Sequence, residues 1–129
     1  MAQSVDLERS FVHLTRHGDA EPIELTPSFW RDSTSKDLYK RLVGVVAFAS
    51  AEDLHSSSQE VHPEADELLF VISGAIDVVL QEGDSERIVP LEAGQAAIVP
   101  RGLWHRLIMR QPGKLLFINS RTGMKSRPM

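Results

Sequence analysis

Four carboxylates fall within eight residues in Glu60-Val61-His62-Pro63-Glu64-Ala65-Asp66-Glu67, directly ahead of an apolar run. Like charge at this density repels itself unless solvent or a cation compensates it. Glu60 and His62 are two residues apart, so on extended backbone both leave the same face. Glu67 opens the next strand beyond the turn set by Pro63, and Leu69 and Val71 continue its face. His105 opens a later strand after Pro100-Arg101-Gly102. Where these strand starts converge, two imidazoles and two carboxylates meet in an apolar interior. A divalent cation is the economical partner for such buried charge. Glu64 and Asp66 alternate away from these positions and read as a solvated turn. His13, His17 and His55 carry no spacing signal and are left out. Arg101 reads as a solvated loop residue, and Trp30 and Trp104 as core. Leu107, Met109 and Phe117 read as apolar wall, a lining that suits a small organic ligand.

The elements that position these residues are short. From about Arg41 onward, apolar and β-branched runs recur at Leu42 to Phe48, Glu67 to Ile72, Ala75 to Leu80, Arg87 to Leu91, Ala96 to Val99, His105 to Met109 and Lys114 to Asn119. Turn residues separate them, among them Ser73-Gly74, Glu82-Gly83-Asp84 and Gln111-Pro112-Gly113. Many short strands with turns between them predict an all-β sandwich or closed barrel. The first third is mixed. Thr15 to Glu21 reads as loop. Thr26-Pro27 offers a helix start, with Thr as N-cap and Pro at the first helical position. One short helix is expected through Trp30 and a second around Asp37 to Leu42. The expected organisation is an N-terminal arm at 1–41, a barrel at 42–120 and a C-terminal tail at 121–129.

Composition narrows the function classes. The chain has 129 residues, enough for one core. Its net charge of −4 makes it a poor binder of nucleic acid or anionic membrane, and the only basic cluster is Arg121, Lys125 and Arg127. With no cysteine, thiolate zinc sites, iron–sulfur clusters and cysteine nucleophiles are excluded. The first residues lack a signal-peptide pattern, and no apolar run is long enough to span a bilayer. A soluble, cytoplasmic protein is expected.

The sequence resembles the cupins. Gly94, Pro100, Gly102 and His105 match every fixed position of the second cupin signature, and His62, Glu67 and Gly74 match the end of the first. The likeness runs from about Val45 to Asn119. It implies a double-stranded β-helix, or jelly-roll barrel, with a metal in its mouth. Carried over residue by residue, it makes His62, Glu67 and His105 metal ligands. The family's first His falls at Glu60, whose carboxylate replaces the imidazole as a fourth ligand or serves as a catalytic general base. Leu54 stands where the first signature opens with Gly, and Met109 where the second closes with Asn.

The resemblance implies a divalent transition metal, with Fe, Mn, Ni and Zn all suited to the donors. It also implies a small-molecule ligand or substrate, and a homodimer in which the arm adds a strand to the partner's sheet. Three function classes follow. One is a metal-dependent enzyme resembling a non-haem dioxygenase. Another is a non-catalytic small-molecule binder or sensor. The third is a metal-independent isomerase or epimerase, for which the pocket strands offer few Lys or Arg.

Overall fold

The computed structural model describes residues 2–32 and 41–129. The chain order is β1 (Ser10–Leu14), β2 (Ala20–Glu24), α1 (Phe29–Asp32), β3 (Leu42–Phe48), a 3-10 turn (Ala51–Leu54), β4 (Ser58–Val61), β5 (Glu67–Glu82), β6 (Ser85–Glu92), β7 (Ala96–Val99), β8 (His105–Asn119) and β9 (Lys125–Pro128). One path of pairing runs β2-β1-β3-β8-β4-β9, and β5 joins β8 to β6 and β7. The described strands form a jelly-roll sheet whose hydrogen bonding does not close into a ring. Of the two all-β arrangements the strand spacing allows, a sandwich or a closed barrel, the unclosed sheet favours the first. Among the described residues no helix is long and apolar enough to cross a membrane.

Alternation places the core. Leu69 and Val71 of β5, Ile76 and Val78 beyond them, and Leu115 and Phe117 of β8 are all buried on the inner face. Each such side chain contributes about 1.5–3 kcal/mol on leaving water. Phe11 of β1 seals one end. Its ring meets Phe117 edge-on at 5.1 Å and Phe29 at 5.5 Å. Gly44 of β3 makes the room, because a Cβ there would overlap the Phe11 ring.

Several sequence expectations change. Ser73-Gly74 and Gln111-Pro112-Gly113 are not turns. β5 and β8 each run through them, and the register shifts between Val71 and Ile76 mark β-bulges. A bulge adds residues to one strand and bends it without ending the pairing. Pro112 therefore lies inside a strand rather than in a turn between two. Residues 125–128, expected in a tail, pair with β4 as β9. Ala20 and Glu21, expected in a loop, belong to β2, which pairs with β1. The first predicted helix is the single turn α1. Of the second, residues 37–40 lie outside the described residues, and Leu42 opens β3. Trp30 is 45% exposed rather than core, whereas Trp104 is half-buried beneath Arg127, whose guanidinium carbon is 4.0 Å from the indole centroid.

Candidate metal centre

Strand register brings the four candidate ligands together. Glu60 of β4 pairs directly with His105 of β8. His62 follows β4 by one residue, held extended by Pro63, and its carbonyl accepts the Gly102 N–H at 3.0 Å. Glu67 starts β5, one residue before the Leu68–Ile118 pair. The same step on β8 reaches Asn119, whose Nδ2 donates to Glu67 Oε2 at 2.8 Å.

Both imidazoles are buried, and their Nδ1 atoms are engaged. His62 Nδ1 lies 2.9 Å from the Ser120 carbonyl and His105 Nδ1 lies 3.1 Å from the Leu103 carbonyl. A carbonyl only accepts, so each Nδ1 carries the proton and each Nε2 faces the site. His105 Nε2 is 2.9 Å from Glu67 Oε1. His62 Nε2 is 3.4 Å from Glu67 Oε2 and 3.8 Å from Glu60 Oε2. Donor atoms of Glu60, His62 and His105 all lie within 4.8 Å of one another.

Electrostatics match this geometry. Burial, the largest influence on Glu67, opposes its ionisation. The His105 hydrogen bond, the charges of both histidines and the Asn119 bond outweigh it and hold the carboxyl below its ordinary value. Burial likewise opposes charge on His105, but the Glu67 hydrogen bond and charge hold it above the ordinary imidazole value.

The residues fit a metal ion. His62 Nε2 is buried and makes no hydrogen bond, an exception that a polar interior normally avoids. Nitrogen and oxygen ligands about 2.1 Å from one ion stand about 3.0–3.4 Å apart; the Glu67 distances of 2.9 and 3.4 Å are close to this, and Glu60 stands farther from His62, at 3.8 Å. An ion placed among them would satisfy His62 and compensate both carboxylates.

The site opens on a cavity of about 560 Å³. Val46, Leu69, Leu107, Leu115 and Phe117 form its apolar wall, and Trp30 and Arg121 line it as well. Met109 packs against the core and is not part of that lining. His55, left out on spacing, also lines the cavity. Asp66 and Arg101 are exposed and fasten the neighbouring turn, Asp66 Oδ1 accepting the Arg101 N–H at 2.9 Å. Sequence reasoning missed Asn119 and Arg121. Asn119 has a sequence signal, as the polar residue ending the inward series Leu115, Phe117, Asn119. Arg121 has none, because only tertiary packing turns it inward.

A family model described as a cupin domain matches residues 51–119, more than half of the chain. No curated protein matches the sequence. Among solved structures, the chain is similar to Co(II) HppE in complex with substrate, at 20% identity and a TM-score of 0.52, over 62% of this chain and 44% of that one. It is similar to oxalate oxidase in complex with the substrate analogue glycolate, at 21% identity and 0.52, over 66% and 45%. A protein from Neisseria meningitidis matches at 20% identity and 0.50, over 64% and 75%. The chain spans less than half the length of the first two. At these identities the likeness is one of fold.

Proposed function

The chain belongs to the cupin-domain family, and we propose that it binds one divalent transition metal through His62, His105, Glu67 and Glu60 and uses it to act on a small organic molecule in the adjoining cavity. The strongest support is the buried, unbonded His62 Nε2 set beside two carboxylates and a second Nε2. That the similar HppE was solved with Co(II) and substrate accords with this reading. Iron, manganese, nickel and zinc all suit two imidazoles with carboxylates.

When bound, the metal supplies a Lewis acid. The chain's own residues do the rest. His62 and His105 present Nε2 because the Ser120 and Leu103 carbonyls hold their Nδ1 protons. Asn119 orients Glu67. Glu60, whose side chain is 34% exposed, is the carboxylate best reached by a ligand, and it serves as proton acceptor only where His62, His105 and Glu67 alone hold the metal. The apolar wall excludes water from the rest of the ligand.

Elemental analysis of purified protein should find about one equivalent of metal per chain. His62→Ala and His105→Ala should each lose it while remaining folded. Wild-type protein that takes up no metal on reconstitution with Fe, Mn, Ni or Zn would sink the proposal.

A homodimer remains part of this reading. On the face away from the cavity, cross-strand pairing aligns Val43, Ile118, Leu68 and Ile98 in one row, with Val45, Leu116 and Phe70 in the next. Ile98 is 68% exposed. Val43, Leu68, Phe70, Leu116 and Ile118 are half-buried beside Ile98, and an apolar surface of this kind suits a two-fold contact with a second copy. Sedimentation should give a dimer for the wild type and a monomer for Leu68→Glu/Ile98→Glu. A wild-type monomer at tens of micromolar would exclude it.

A further inference from the structure

We propose that Arg127 of β9 is a positioning residue for the candidate metal centre. It ties the strand that presents Glu60 to the strand that presents His105, and so couples docking of β9 to metal binding. The coupling to metal rests on the metal reading above; the tie between the strands does not.

Glu60 and His105 face one another across β4 and β8, and among the described residues that is the one place where these two strands pair. The rest of the support for β4 comes from β9, which it meets from Ser58 to Val61. Gln59 directly precedes Glu60, and Trp104 directly precedes His105. Neighbours on a strand leave opposite faces, so Gln59 lies behind Glu60. Arg127 touches both Gln59 and Trp104. It sits opposite Gln59 in the register, and its Nε donates to Gln59 Oε1 at 2.8 Å. The same guanidinium lies over the Trp104 ring at 4.0 Å. A planar guanidinium does both at once, because it stacks with its face and donates from its edge.

Gln81 closes the circuit from behind. Its Oε1 accepts from Gln59 Nε2 at 3.4 Å, and its backbone N–H donates to the Trp104 carbonyl at 2.8 Å. Its own Nε2 is fixed on the Gly83 carbonyl at 2.9 Å. Gln59 is only 5% exposed, so an amide bond lost there is not replaced freely by water. On its other face β9 belongs to the cavity, since Ser126 pairs with Glu60 and lines the wall together with Met124. All four β9 residues are exposed. Docking of β9 therefore has little apolar burial behind it and depends on backbone pairing and on Arg127.

Zinc affinity, measured by competition with a chelating dye, tests this in wild type, Arg127→Gln, Arg127→Lys and Lys125→Gln. Arg127 and Lys125 are exposed on an edge strand, so each variant should fold. Arg127→Gln should bind zinc about tenfold more weakly, the lower end for losing an outer support of a ligand. Arg127→Lys should recover part of that loss, since its ammonium keeps a charge over the indole but lacks the fork. Lys125→Gln removes the same charge from the same strand and should stay within about twofold of wild type. The visible bands of cobalt-loaded protein should move in Arg127→Gln and not in Lys125→Gln. A merely structural role would lower the melting temperature and leave the bands in place. By reciprocity, zinc should slow tryptic cleavage after Lys125 in wild type, and less so in Arg127→Gln. Equal zinc affinity and identical cobalt bands in Arg127→Gln and Lys125→Gln would overturn the proposal, as would wild-type cleavage that zinc does not slow. Wild type that takes no metal would remove the metal reading, and the tie between the strands is then read on metal-free protein. There Arg127→Gln should speed cleavage after Lys125 about threefold and move the His105 ring resonances. Unchanged resonances and an unchanged rate would sink the tie as well.

Discussion

Glu67→Gln is expected to abolish tight metal binding and to remove the pH dependence of stability that the Glu67–His105 pair supplies. Glu67 touches His62, His105 and Asn119 from a site only 5% exposed. On the proposed ligand set, removing Glu67 should cost at least the 100-fold or so associated with losing a residue that merely supports a ligand. In metal-free protein, breaking this buried pair should cost about 3 kcal/mol near pH 6. The sign of the pH effect follows from the two shifts. Glu67 is held below its ordinary 4.5, so its contribution is present above that value and lost as pH falls through the folded pKa. His105 is held above its ordinary 6.5, so its contribution is present below that value and lost as pH rises through the folded pKa. Metal-free wild type should therefore gain most from the pair between pH 4.5 and 6.5 and melt at lower temperature toward pH 9. Metal requires the neutral imidazole, so the stabilisation it adds should grow over the same rise in pH. Thermal melts of chelated and loaded protein from pH 5 to 9, for wild type and Glu67→Gln, check both slopes. A chelated wild type whose melting temperature does not fall toward pH 9 would mean that His105 and Glu67 do not share a proton.

The candidate site was legible as a cluster because the histidines and Glu67 sit at fixed intervals around turns that local chemistry sets. Pro63 and Gly102 are readable in one dimension, and so are His62 and His105 beside them. Glu60 was legible through period-two alternation with His62. Arg121 was not, since it meets the Trp30 ring only in the folded chain, across 91 residues of sequence. The merging of two apolar runs into β5 was equally hidden. Ser73-Gly74 carries ordinary turn chemistry, and only the opposing Pro112-Gly113 shows that the strand continues through it. The N-terminal hairpin was missed because Ala20-Glu21-Pro22-Ile23-Glu24 has the polar, Pro-containing composition of an edge strand, which reads as loop. β9 escaped for the same reason, since all four of its residues are exposed.

That hidden crossing gives the second large effect: Gly113→Ala should destabilise the protein by about 3 kcal/mol, near the upper end for overpacking. A Cβ on Gly113 would overlap the Ser73 carbonyl and approach Gly74 N closer than 3.0 Å, while a Cβ on Gly74 would overlap the Pro112 carbonyl. These obstacles are backbone, so no side chain can swing aside. For a chain of this length the loss corresponds to a fall in melting temperature of about 12 °C. Gly94→Ala is the control. Gly94 has φ +88 but nothing within 4 Å of its Cβ position, so only the backbone conformation is penalised, at about 1 kcal/mol. The crossing also bears on the site. It divides β8 between the half that carries His105 and the half that carries Asn119, and β5 runs from Glu67 into the same bend. Any Gly113→Ala protein that does fold should consequently bind metal more weakly than Gly94→Ala, as measured by competition with a chelating dye. Equal melting temperatures for the two variants would show that the strands can separate at the bulge without cost, and that the bend does not hold His105 and Glu67 in register.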